Sequence, residues 1–126
     1  MNIVYLISRK WSADILQKLI KEKKSLNIKL KIFTTQKKFI DQNLLKNIQV
    51  TCIKEKELKK YSKPIKKFDP KIICAFGWSG YLNKELRDIS PCLVLHPSKL
   101  PKFRGGSPIQ NQLIRGVKNS AITILL

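Results

Sequence analysis

Short apolar runs recur along the chain, and stretches of helical spacing separate them. Residues 2–8 are almost continuously apolar, as expected of a strand covered on both faces. Ile15, Leu16, Leu19 and Ile20 then return at helical spacing within residues 12–24, with lysines on the other face. In residues 28–34, Ile28, Leu30 and Ile32 alternate against lysine and read as a second strand. Phe39, Ile40, Leu44 and Leu45 predict a second helix, and residues 50–53 a short third strand. Residues 56–68 are basic and helical in part, with Pro64 expected to bend or end that helix. Residues 71–76 form a fourth strand, 83–89 a short helix capped by Asn83, and 92–96 a fifth strand. A loop over 97–107 leads to a helix that Pro108 opens and Gly116 closes, and a sixth strand spans 120–126.

Strands alternating with helices throughout predict an α/β fold: a Rossmann-like three-layer sandwich with a mainly parallel sheet. No linker or repeat divides residues 1–126, so one domain is expected. The first strand is followed by Ser8-Arg9-Lys10-Trp11, where a dinucleotide-binding chain would carry Gly-x-Gly-x-x-Gly. The phosphate-loop motif is absent too, so a nicotinamide or nucleoside-triphosphate reading has no support. No apolar run approaches the roughly 20 residues of a membrane-spanning helix. The opening residues have neither a basic leader nor a cleavage site. Cys52, Cys74 and Cys92 lie in apolar stretches without metal spacing. The expectation is reduced, buried thiols, no metal site and a cytoplasmic protein.

A formal charge of +18 suggests a polyanionic partner. Its make-up tempers that reading. The 26 basic residues comprise 22 Lys and 4 Arg, beside 17 Ile and 7 Asn, a pattern of AT-rich codon usage. Residues 1–71 hold 19 basic and 6 acidic residues, and residues 72–126 hold 7 and 2. Most of the excess is therefore assigned to solvated helix faces of the first half. Residues 122–126 are an apolar strand with no turn, charge or cap after them, so the chain is expected to be an N-terminal piece of a longer protein.

Ligands of open α/β sheets sit beyond the carboxyl ends of the strands. Two such ends carry unusual residues. The fourth strand runs into Phe76-Gly77-Trp78-Ser79-Gly80-Tyr81-Leu82, where the glycines would let a flat ligand approach the backbone. The fifth runs into His96, the only histidine, and then Pro97-Ser98-Lys99-Leu100-Pro101-Lys102-Phe103-Arg104-Gly105-Gly106-Ser107-Pro108. Gly105 and Gly106 would supply positive φ. Arg104 would hold backbone carbonyls or meet an anionic substrate. His96 suits general acid–base or oxyanion work.

The stretch from His96 to Pro108 resembles the loop of the folate-dependent formyltransferases, whose pattern is Asn-x-His-x-Ser-Leu-Leu-Pro-x-Tyr-Arg-Gly-x-x-Pro. The stretch Gln110 to Gly116, followed by Ser120-Ala121-Ile122-Thr123, is similar to the family's next helix, turn and strand. Ala75-Phe76-Gly77-Trp78 resembles its folate-lining segment. The specific likeness covers residues 71–126.

The resemblance implies transfer of a formyl group from 10-formyltetrahydrofolate to a primary amine. The acceptor would be methionyl-tRNA, slightly favoured, or a nucleotide-linked amino sugar. A protonated His96 would stabilise the oxyanion. Phe76, Gly77, Trp78, Tyr81 and Leu82 would line the folate site. Ser98, Leu100, Pro101, Arg104, Gly105 and Gly106 would shape the acceptor side. Two departures stand out. Val94 occupies the position of the family's catalytic Asn, and the family's catalytic Asp would fall past Leu126. They leave a second reading of another class: a catalytically inactive basic module that binds RNA or another polyanion.

Overall fold

The computed structural model describes residues 1–22, 27–45 and 48–126. Its centre is a six-stranded sheet: β1 (Asn2–Ile7), β2 (Lys29–Thr34), β3 (Gln49–Cys52), β4 (Ile72–Phe76), β5 (Cys92–His96) and β6 (Thr123–Leu125). The strand order is β3-β2-β1-β4-β5-β6. Every pairing is parallel except β5 with β6, which is antiparallel with His96 opposite Thr123. The order reverses between β1 and β4, and this places a crevice at the carboxyl ends of those strands.

β1 is apolar throughout because both of its faces are covered. Ile3, Tyr5 and Ile7 face one layer, with Ala13, Leu16 and Ile20 of α1 (Lys10–Glu22). Val4 and Leu6 face the other. There they meet Leu58 of a 3-10 segment (Glu55–Tyr61), Ile65 of α2 (Ser62–Phe68) and Leu86 of α3 (Lys84–Arg87). These are the three layers expected from the alternating pattern. No helix among the described residues is long and apolar enough to cross a membrane.

Several elements differ from the sequence expectation. The predicted second helix is two short 3-10 turns, Lys37–Phe39 and Gln42–Leu45. Phe39, Ile40 and Leu45 still reach the core without a continuous helix. Pro64 does not break α2. It sits in the first turn, where a missing N–H forfeits no helical hydrogen bond. Lys23 and Lys24, the end of the predicted first helix, lie outside the described residues. The short helix of 83–89 contracts to α3, whose Leu86 N–H donates to the Asn83 side chain, as its cap role requires. β6 is three residues long, shorter than the expected 120–126, and Ser120 ahead of it bonds Gln112.

The cysteines also separate. Cys74 is buried, Cys92 is half-buried and Cys52 is exposed, against the expectation of three buried thiols. Cys52 ends β3, an edge strand of the sheet among the described residues. Burial pushes the Cys74 thiol up to about 11 and also raises that of Cys92. Ellman's reagent at mildly alkaline pH is therefore expected to label Cys52 first. Cys74 should react only on the timescale of unfolding, because the thiolate is the nucleophile.

Candidate functional site

Parallel strands deliver β1, β4 and β5 to the same edge, and the candidate residues of both loops follow β4 and β5 there. His96 is the last residue of β5 and is half-buried. Its Nε2 lies 3.0 Å from the Phe103 carbonyl oxygen. A carbonyl only accepts, so Nε2 carries the proton of that bond and Nδ1 is left for another partner. Nδ1 accepts a proton when the ring is neutral and donates when it is charged. No carboxylate among the described residues lies within ion-pair distance of His96.

The loop that aims His96 is held from several sides. Ser98 is fully buried and its hydroxyl donates to the Lys102 carbonyl at 2.8 Å. The Leu100 N–H donates to Thr123 Oγ1, which donates to the Ser98 carbonyl at 2.7 Å. β6 thereby fastens the turn from across the sheet edge. Gln112, buried in α4 (Pro108–Ile114), donates from Nε2 to the carbonyls of Pro97 and Pro108 and bonds the Ser120 hydroxyl. The Arg115 guanidinium sits 5.6 Å from the Phe103 ring centroid.

Left-handed backbone occurs at Phe103, Gly105 and Ser107. Gly106, expected to share that role, has no positive φ. Gly105, Gly106, Pro101 and Arg104 are exposed and Leu100 is half-buried. Arg104 makes no hydrogen bond or ion pair among the described residues, so it does not hold the loop. Gln112 and Thr123 escape a reading by motif. The only signal for Gln112 is a polar residue beside Ile109 and Leu113 on one helix. Replacing Gln112 with leucine would leave the Pro97 carbonyl and Ser120 without their partner. A loss of about 1–3 kcal/mol is expected in urea unfolding.

The second loop is more entwined with the core than its sequence suggests. Phe76 stacks edge-on against Tyr5 at 5.5 Å. Trp78 and Leu82 pack against the α2-side core, and Trp78 Nε1 is buried without a hydrogen-bond partner among the described residues. The open sides of the two glycines are filled by the chain itself. A Cβ on Gly77, at φ +69, would stand 2.8 Å from the Trp11 ring. One on Gly80 would stand 2.7 Å from Glu55 Cβ. Tyr81 is 98% exposed. The backbones of Gly80, Tyr81 and Leu82 make no hydrogen bond among the described residues. Val94 packs against the α2-side core, and its side chain has no polar atom to offer.

Comparison with known proteins shows the family of the chain. The family described as "Formyl transferase" matches residues 1–126. The chain belongs to that family. Formyl transferase relatives include the methionyl-tRNA formyltransferase of Caldicellulosiruptor saccharolyticus, 30% identical over 99% of this chain and 44% of its own length. That of Campylobacter lari is 39% identical over 71% of this chain and 29% of its own. The chain thus spans less than half the length of these relatives. Among solved structures, a methionyl-tRNA formyltransferase from Clostridium thermocellum superposes with a TM-score of 0.66 at 25% identity. It covers 99% of this chain and 45% of its own. A phosphoribosylglycinamide formyltransferase from Bacillus halodurans gives 0.78 at 17% identity, over 98% and 70%, which speaks to the fold alone.

Proposed function

We propose that this chain carries the folate-side half of a formyl-transfer site, with 10-formyltetrahydrofolate as donor and the amine of methionyl-tRNA as acceptor. Its single domain would hold the donor against residues 76–82 and the acceptor against residues 98–106. The carrying observation is His96 at the carboxyl end of β5, with Nε2 fixed on Phe103 and Nδ1 without a partner among the described residues. The folate supplies the formyl group when bound. The backbone groups of Gly80, Tyr81 and Leu82, unpaired among the described residues, suit the hydrogen-bonding edge of a pterin, and exposed Tyr81 supplies an aromatic face. His96 Nδ1 donates to the formyl oxygen as charge grows on it.

The acceptor rests on the relatives' names and on the basic composition. Val94 favours the second reading, an RNA-binding module without chemistry, because an apolar core residue stands where the family has a donor. Labelled-formyl transfer by the full gene product, offered methionyl-tRNA and a nucleotide-linked amino sugar in parallel, separates these outcomes. Label on methionyl-tRNA is the expected result. Label on the sugar alone would replace the acceptor. Label on neither, with tRNA still bound, would leave the module.

A further inference from the structure

Resting on that reading, we propose that Ser98 and Arg115 are positioning residues for His96. They act through Phe103. Together they hold its carbonyl on His96 Nε2, which fixes the proton on Nε2 and presents Nδ1 to the reacting group. No hydrogen bond joins either side chain to the imidazole among the described residues. The link is the Phe103 carbonyl oxygen, 3.0 Å from Nε2. In a neutral imidazole, the hydrogen bond made by one ring nitrogen decides which nitrogen carries the proton. A backbone carbonyl only accepts, so its place selects the Nε2–H tautomer.

That carbonyl belongs to a residue in an unfavourable conformation. Phe103 has φ +55°, in the left-handed region that bulky side chains rarely adopt. Such a residue persists only where its surroundings over-determine it. Phe103 is gripped on two sides. On the backbone side, the Ser98 hydroxyl is directed at the Lys102 carbonyl at 2.8 Å and at the Phe103 carbonyl at 3.5 Å. Ser98 is fully buried and its own carbonyl accepts from Thr123, so this hydroxyl has little freedom. On the ring side, the Arg115 guanidinium lies over Phe103, 5.6 Å from the ring centroid. A cation at that distance is attracted to an aromatic face. The guanidinium makes no hydrogen bond or ion pair among the described residues, so nothing there draws it elsewhere.

The two grips stay in register because α4 is tied to the start of the same loop. Gln112, nearly one turn before Arg115, donates to the Pro97 carbonyl at 2.9 Å. The circuit therefore runs from His96 through Phe103 to Arg115, and back through Gln112 to Pro97. With Nε2 held, the ring cannot turn, and Nδ1 stays aimed at one place. Releasing the carbonyl lets the ring rotate and the proton exchange between its two nitrogens. A misplacement of about 1 Å at a reacting group can cost on the order of 10²-fold in rate.

His96 is the only histidine, so ring-nitrogen NMR spectra of the 126-residue chain report on it alone. At mildly alkaline pH an ordinary imidazole is neutral. The parent chain is then expected to give two widely separated signals, a protonated Nε2 and a bare Nδ1. In Ser98→Ala and in Arg115→Gln the two signals should move toward each other as the tautomers begin to exchange. Arg115 is exposed, so its variant keeps the core intact and decides the matter if loss of the buried hydroxyl unfolds the chain. Ile20→Val trims the α1-side core instead. It should lower the urea midpoint and leave both signals in place. In the full gene product both loop variants should lower kcat for formyl transfer, Ser98→Ala by roughly ten- to hundredfold, with KM for folate little changed. Unmoved ring signals in either folded variant overturn the proposal. So does convergence in Ile20→Val, a bare Nε2 in the parent chain, or a raised KM with kcat unchanged. Absence of formyl transfer by the parent, with the ring signals responding as expected, would refute the function proposed above and leave the positioning of His96 standing.

Discussion

His96→Ala is expected to lower kcat for formyl transfer by the full gene product about 10²–10³-fold, with little change in folate affinity. The substitution removes the one side chain that presents an unengaged ring nitrogen at the carboxyl end of β5. It leaves residues 76–82, the proposed folate segment, untouched. His96→Asn supplies a second arm, since an amide offers a donor but cannot take up a proton. Partial recovery by asparagine would assign oxyanion stabilisation as the main role of His96. No recovery would assign proton transfer. Full activity in the alanine variant would remove His96 from the mechanism.

The largest structural effect is expected at Leu6. It is fully buried in β1, the strand shared by both halves of the sheet, and faces the layer formed by Leu58, Ile65 and Leu86. Truncation to alanine at such a site costs about 2–5 kcal/mol through lost burial and the cavity left behind. Urea unfolding should show that loss as a lower midpoint with a similar slope. A change below about 1 kcal/mol would mean that this layer does not close over β1.

These two positions also show what could be read in advance. Leu6 was legible because a strand buried on both faces has an uninterrupted apolar run, and no turn or helix produces that pattern here. The place of His96 at a strand end was legible because an apolar run leads into it and a proline-rich and glycine-rich loop follows. What escaped depends on closure in three dimensions. Thr123 meets the 98–100 turn only because β6 runs antiparallel beside β5. Gln112 reaches Pro97 across fifteen residues. Phe39 to Leu45 carry the apolar content of a helix, and short 3-10 turns satisfy the same contacts. Gly77 and Gly80 looked like room for a ligand, and the space is occupied by Trp11 and Glu55 of neighbouring segments.

The central claim is that the edge built from residues 76–82 and His96 is a folate site. Thermal unfolding of this chain with and without 10-formyltetrahydrofolate tests it most directly. A ligand at about 100 times its dissociation constant stabilises the folded state by about 2.7 kcal/mol. The melting temperature should therefore rise with folate concentration and stay raised in high salt, because the contacts proposed are backbone hydrogen bonds and an aromatic face. An unshifted melting curve at saturating folate would contradict the account.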